Sequence, residues 1–372
     1  MAGFLGYQGA RGVASLIEVI EEYETQVAAD VQRLGVVMEP DGSPLEVEGV
    51  LNPALTRGRK GELLMYPRVV ARGNTSRVGL ARGVESNGSV RFERIGFALE
   101  PEAEYEMRSV PGGMGCEDPR VTFVPLLDKY VMVYTAFGMD GPRVSIALSD
   151  DGYKWERLGR MHFVGELMPV GDDKDGVFFP EPVISPSGVK SFALYHRPML
   201  HISVMDGHGA IPTILELDPE DRESMRIAYV PLEPALKDIN NLLVATESVK
   251  VLIPDGHWGR IKNGGGTPPV KTDKGWLSLF HGVDAVEHEG RVTLCYSAGL
   301  VLHDLEEPHR ILYRSPDPVL SPDTIEERTG IVNNVVFPTG IDCREDGSYE
   351  IYYGAADAKI ARAKMNIGFS GV

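Results

Sequence analysis

The run Cys116-Glu117-Asp118-Pro119-Arg120 sets two carboxylates, a proline and a guanidinium side by side, just ahead of a strand-like stretch. Pro119 biases Asp118 toward an extended backbone, from which its side chain projects off a strand edge. Neighbouring side chains on a strand alternate faces, so one acid is expected to point inward and the other outward. A buried acid close to another acid can hold its proton at neutral pH, as a general acid must. A solvated acidic turn is the competing reading, and these residues alone leave both open.

Five further segments join aromatic strand formers to a charged or amide group. They are Lys174–Glu181 with Tyr195-His196-Arg197-Pro198, Lys262 with Gly264-Gly265-Gly266, Phe280-His281-Gly282, Asn333–Pro338 and Tyr352–Asp357. Sugar sites need this mixture: carboxylates and amides for hydroxyls, and ring faces for the C–H side of a pyranose. Taken singly, each is also a satisfied polar group at a strand end. The triple glycine is not followed by Lys-Ser/Thr, and Pro268 and Pro269 rule out a P-loop helix there. A loop with exposed amides or a plain tight turn remains. No GxGxxG, HExxH or GxSxG occurs. The nine histidines show no metal-ligand spacing, His201 and His208 being merely close, so neither metal nor cofactor is expected.

These groups need a scaffold, and the chain supplies many short strands. Leu63–Val70, Val121–Val124, Tyr130–Thr135, Val144–Leu148, Ser191–Tyr195, Trp276–Phe280, Val292–Tyr296 and Tyr349–Tyr353 are each of strand length. Asp140-Gly141, Asp151-Gly152 and Asp346-Gly347 supply turns between several of them. This predicts an all-β architecture, closed or radially repeated, although no fixed-period repeat singles out a propeller over a sandwich or β-helix. Helical spacing is confined to 11–28, where Val13, Leu16, Ile17, Ile20 and Tyr23 recur, and to Glu233–Asp238. The first helix has two uses open to it: packing on its own domain, or contact in a homo-oligomer. The expected organisation is a helical extension over 1–33 and one catalytic domain over 34–372. Segment 206–245 reads as an insertion loop.

The 372 residues carry a formal net charge of −17, which repels nucleic acid and anionic lipid. The three cysteines are far apart and form no CxxC pair, which fits a reducing compartment. No apolar run is long enough to span a bilayer, and the N-terminus lacks the form of a secretory signal. A cytoplasmic location follows as the expectation.

The ordered segments LNPAL, CEDPRV, YTAFGMDGPRV, KDGVFFPE, YHRP, GGGTPP, FHGV, HDLEEPHRILYRSPDPVLSP, NNVVFPTG and YYGAAD resemble glycoside hydrolase family 130 over residues 34–365. The resemblance implies a five-bladed β-propeller and inverting cleavage of β-mannosides, in most members by phosphorolysis to α-mannose 1-phosphate. It implies that Asp118 is the acid, acting through a hydroxyl of the mannose itself. It places Asn52, Arg68, Phe337 and Asp357 around the sugar before the scissile bond. It places Arg197, Lys262, His281 and Tyr296 at phosphate, with Arg143 a further basic residue. Inorganic phosphate is then the co-substrate.

At position 181 the chain has glutamate where several phosphorylases carry a phosphate-binding arginine. Glu181 could instead activate water, so a β-mannoside hydrolase is the alternative. A hydrolase would need its two carboxyls roughly 6.5–9.5 Å apart. A non-catalytic sugar-binding propeller is the third reading, and it gives no reason for a phosphate grip. The 200–245 region and the loop carrying Arg72, Asn74 and Arg77 are expected to shape the acceptor side.

Overall fold

The computed structural model describes residues 25–86, 88–164, 171–200, 210–288 and 291–371. All the expected strands form, and they sort into five antiparallel units of four consecutively paired strands. The first is Gly49–Arg57, Leu63–Ala71, Thr75–Ser86 and Ser89–Leu99. The second is Met114–Val124, Lys129–Gly138, Gly141–Ser149 and Glu156–Arg160. A short parallel contact, Thr75 with Met114 and Ser76 with Gly115, joins these two into one eight-stranded sheet. The third is Asp173–Phe178, Lys190–Pro198, Met225–Pro231 and Glu247–Leu252. The fourth is Lys262–Gly265, Trp276–His288, Arg291–His303 and Ile311–Arg314. The fifth takes Val336–Cys343, Tyr349–Ala355 and Lys359–Gly371, then Thr25–Met38 from the other end of the described chain.

Strands with two apolar faces must be covered on both sides, and the core shows how. Each apolar cluster lies between consecutive units. Leu64 and Tyr66 meet Val121 and Met132; Val133 and Ile146 meet Phe178 and Leu194; Tyr195 and Ile227 meet Trp276 and Phe280. Leu279 and Leu300 meet Ile351 and Ala363. The last cluster packs Tyr352 and Ile360 of the fifth unit on Val50 and Met65 of the first, so the packing runs in a ring. Each fully buried large side chain contributes on the order of 1.5–3 kcal/mol. This cyclic arrangement is that of a β-propeller.

Two expectations are corrected here. The helix expected at 11–28 lies largely outside the described residues, but Thr25–Met38 is a strand, which crosses the expected domain boundary at 33. Val27, Ala29 and Val31 are more buried than Gln26, Ala28, Asp30 and Gln32, a period of two, and Lys359–Gly371 offers an open edge to pair. Segment 206–245 is no mere insertion. It contributes the strand Met225–Pro231, whose Met225, Ile227 and Tyr229 are fully buried, and the helix Leu232–Lys237, where helical spacing had been read.

Candidate active site

The first strands of three consecutive units share one irregularity. Asn52, Asp118 and Asp175 have φ of 43°, 46° and 59°, and strand register breaks at each of them. Asn and Asp enter this left-handed region more readily than other side chains. The residues that follow are Pro53, Pro119 and Gly176, which are poor ladder donors or permissive ones. Asp118 is therefore not extended, contrary to the expectation from Pro119. The bulge also cancels the alternation of faces, so Glu117 and Asp118 meet the same guanidinium.

That guanidinium is Arg68. It donates from Nη1 to Asp118 Oδ1 at 3.1 Å, from Nη2 to Glu117 Oε1 at 2.9 Å and Asn74 Oδ1 at 3.1 Å, and from Nε to Ser76 Oγ at 2.9 Å. Asn52 Nδ2 donates to Asp118 Oδ1 at 2.8 Å, and Lys174 Nζ to Glu117 Oε2 at 3.1 Å. Burial alone would raise the Asp118 pKa. Arg68, Arg120, Lys174 and the Asn52 amide outweigh it and hold Asp118 below the ordinary carboxylate range. The expectation of a carboxyl that keeps its proton at rest thus does not fit Asp118. Asp357, in the turn after Tyr349–Ala355 at φ 50°, comes nearer, its pKa pushed up to about 6, yet it too is mostly ionised at neutral pH. Burial is the main cause; Asp118 and Glu117 add to it, and Arg68 and Lys174 oppose it.

A second cluster adjoins the first through Arg120, whose Nη1 donates to the Asp118 carbonyl at 3.2 Å and whose Nη2 lies 3.6 Å from Asp175 Oδ1. Arg197 Nε donates to Asp175 Oδ2 at 2.6 Å, and Arg197 Nη1 donates to Glu223. His281 Nε2 lies 3.6 Å from the same Asp175 oxygen. Its ring is 4.4 Å from Phe337 and 6.4 Å from Tyr296, and Lys262 Nζ sits 5.6 Å over Tyr296. Burial lowers the His281 pKa to about 3; Asp175 resists this, while Arg197, Arg120 and Lys262 reinforce it. His281 is therefore a neutral imidazole, not a cation, and its buried Nδ1 has no hydrogen-bond partner. The arrangement sets a fixed carboxylate on one side and, on the other, Arg197, Lys262 and neutral His281 beside the Phe337 and Tyr296 rings, with Asp175 and Glu223 paired to Arg197.

Of the expected site residues, Asn52, Arg68, Asp118 and Asp357 come together, as do Arg197, Lys262, His281, Tyr296 and Phe337. Glu181 does not join them. Its carboxylate is 45% exposed and accepts from Lys271 Nζ at 2.6 Å, because the chain has left the strand Asp173–Phe178 and turned outward. Arg143 Nη1 is bound to Asp172 Oδ1 at 2.5 Å. The glycine run is neither exposed loop nor tight turn. Gly264 and Gly265 lie in a buried strand, where a Cβ on Gly264 would strike Asp175 and His281. Arg120 also donates to the Gly265 and Gly266 carbonyls. Cys116 is fully buried, and burial pushes its thiol pKa well up, so it is a core filler. Among the described residues no group of three His, Cys, Asp or Glu is placed to hold a metal, and no helix is long and apolar enough to cross a membrane. His201 and His208 lie outside the described residues.

A family model described as beta-1,4-mannooligosaccharide phosphorylase matches residues 22–207 and 240–368. The chain belongs to glycoside hydrolase family 130. It is 28% identical over 295 residues to a 1,2-beta-oligomannan phosphorylase of Thermoanaerobacter sp. strain X514, covering 78% of this chain and 79% of that one. It is 31% identical over 254 residues to a beta-1,2-mannobiose phosphorylase of the same strain, covering 67% and 66%. Its fold matches that of the Listeria innocua beta-1,2-mannobiose phosphorylase in complex with beta-1,2-mannobiose, at a TM-score of 0.66 and 23% identity over 90% of this chain and 96% of that one.

Glu117, Arg120, Lys174 and Asp175, which lie in segments picked out from the sequence without a role of their own, and Glu223, which does not, complete the two clusters of this family 130 chain. The signal was present for Asp175: Asn52-Pro53, Asp118-Pro119 and Asp175-Gly176 are three polar-then-breaker pairs, each opening a unit. Glu223 had none. It sits in an irregular stretch and matters only because the fold brings it to Arg197.

Proposed function

We propose that this family 130 enzyme cleaves β-mannosides by inverting phosphorolysis, on a five-bladed propeller whose blades are the five units. The observation that carries the reading is the pairing of Asp118, fixed by Asn52 and Arg68, with the adjoining pocket of Arg197, Lys262 and His281. The terminal mannose sits over Asp118 and Asp357, against Phe337. Phosphate lies on the opposite side, where Arg197 offers a planar fork, Lys262 a point charge and neutral His281 a ring nitrogen.

The depressed Asp118 pKa fits such a cycle. Arg120 helps hold the resting carboxylate ionised. A phosphate dianion bound beside Arg197 offsets that cationic field, so Asp118 gains its proton when both substrates are present. Asp118 then passes the proton to the leaving oxygen through a mannose hydroxyl. Phosphate attacks the anomeric carbon from the other face and leaves as α-mannose 1-phosphate. No protein base is needed, since phosphate is already nucleophilic. The hydrolytic alternative assigned that task to Glu181, which is held in the Lys271 ion pair.

The test is to incubate the enzyme with β-1,2- and β-1,4-mannobiose, with and without phosphate, and to identify the sugars released. Mannose 1-phosphate formed only with phosphate, and reduced about 10²–10⁴-fold in Asp118→Asn, supports the reading. Free mannose at a rate indifferent to phosphate refutes it.

A further inference from the structure

Glu223 puts a negative charge where phosphorolysis needs a grip on an anion. One of its carboxylate oxygens accepts from Arg197 Nη1, and the other accepts from the Leu200 amide at 3.1 Å. Its backbone lies beside a second cation of the pocket. The Asn263 amide donates to the Glu223 carbonyl at 3.1 Å, and Glu223 forms a parallel bridge with Lys262. The stretch that carries it is irregular but anchored: the Arg222 guanidinium donates to the carbonyls of Leu215, Leu217, Pro254 and Arg260. Glu223 thus touches one of the cations assigned to phosphate and adjoins another.

The two carboxylates on Arg197 differ in what they leave open. Asp175 takes Arg197 Nε at 2.6 Å, is only 3% exposed, and has Arg120 Nη2 and His281 Nε2 each 3.6 Å away. A Cβ on Gly264 would overlap it, so it is enclosed. The Glu223 side chain keeps 14% exposure. A carboxylate has about four lone-pair positions, and the bonds to Arg197 and Leu200 occupy two of them.

Arg120, Arg197 and Lys262 bring three positive charges to this cluster and neutral His281 none, while Asp175 and Glu223 bring two negative ones. Glu223 therefore works against any anion held by charge alone, since like charges side by side repel. It favours one kind of anion, the kind that still carries a proton. At neutral pH inorganic phosphate keeps an O–H group, whereas sulfate and monofluorophosphate, of the same tetrahedral form, keep none. An O–H donated to a carboxylate is a charge-assisted bond and among the strong ones. An anion with lone pairs alone would set its oxygen against the Glu223 oxygen with no proton between them.

Resting on the phosphorolysis reading, we propose that Glu223 is the specificity residue of the anion pocket: it accepts the O–H of phosphate and rejects tetrahedral anions that have none. Arg197 and Lys262 supply the attraction, and Glu223 decides which anion keeps it.

Calorimetric titration of the enzyme with phosphate, monofluorophosphate and sulfate at pH 7, without sugar, reads this apart from turnover. The expected result is phosphate bound about tenfold or more tightly than either proton-free anion. Glu223→Gln, nearly the same in shape, should erase that preference, chiefly by tightening sulfate and monofluorophosphate about tenfold. Glu223→Asp should recover part of it. The parent protein alone carries the first comparison, so the test stands even where a variant fails to fold. Equal affinity of the parent for the three anions overturns the proposal. So does a preference that survives in Glu223→Gln, which would make Asp175 or His281 the acceptor, and so does a uniform tightening of all three, which would make Glu223 a plain repulsive charge. Phosphate-dependent cleavage of β-mannobiose without the anion preference sinks this role of Glu223 and leaves phosphorolysis standing. The preference without phosphate-dependent cleavage does the reverse.

Discussion

Asp357→Asn is expected to make the enzyme more stable and nearly inactive. Asp357 shares the field of Asp118 and Glu117, with Arg68 and Lys174 the opposing cations, and burial lifts its pKa from 3.8 to about 6. Its folded pKa exceeds its unfolded one, so the folded state binds the proton more tightly. The carboxylate thus weakens the fold above pH 6, and this penalty fades as pH falls toward 4. At about 1.4 kcal/mol per pKa unit, the rise corresponds to a penalty of up to about 3 kcal/mol at pH 8, an upper limit because the neighbouring carboxylates readjust. Asparagine copies the protonated form and tolerates φ near 50° as aspartate does. Urea unfolding of both proteins at pH 4.5 and pH 8 should therefore show the variant gaining about 1–3 kcal/mol at pH 8 and about a third of that at pH 4.5. Phosphorolysis should fall by about 10²-fold or more, the usual form of a trade between stability and function. A variant no more stable than the parent at pH 8 would refute the electrostatic reasoning, whatever its activity.

Gly354 faces Asn52, and a Cβ there would overlap the Asn52 amide oxygen. Gly354→Ala should cost about 1–3 kcal/mol in unfolding free energy and, by displacing the Asn52–Asp118 bond, lower kcat about 10²-fold. A variant with normal kcat would show that Asn52 need not stay there. Glu181→Gln breaks only a half-exposed ion pair, so stability should change by less than about 1 kcal/mol and the rate by less than twofold. A large rate loss would restore Glu181 as a participant. His281 is neutral well above its pKa of about 3, so its protonation should leave no inflection between pH 5 and 8 in the KM for phosphate. An inflection there that disappears in His281→Asn would contradict this.

The strands were legible because alternating Val, Ile, Tyr and Phe between turn residues reports a local property, and runs such as Leu63–Val70 and Tyr130–Thr135 formed as read. Of Thr25–Met38 only 25–28 falls within the helix expected at 11–28; there the alternation of Val27, Ala29 and Val31 takes over, and a partner strand at the far end of the described chain gives it an edge to pair with. Residues of the Asp118 and Arg197 clusters could be named from ordered motifs. Their protonation could not. Asp118, buried, and Asp357, half-buried, are both aspartates at positive φ near Arg68 and Lys174, and the further placement of Arg120 and Asn52 around the first helps their pKa values move in opposite directions. Glu181 misled because its neighbours in sequence, Phe178 and Phe179, are core residues, whereas its own side chain has already left the centre.

The union of Thr25–Met38 with Lys359–Gly371 has a consequence for the order of events during synthesis. The early strand leaves the ribosome with an unpaired edge and must wait until Lys359–Gly371 has emerged. Asp357 stands immediately before the strand that ends this wait. The Asp118–Asp357 cluster and the clasp are thus finished by the same stretch of chain. A chain interrupted before it lacks both.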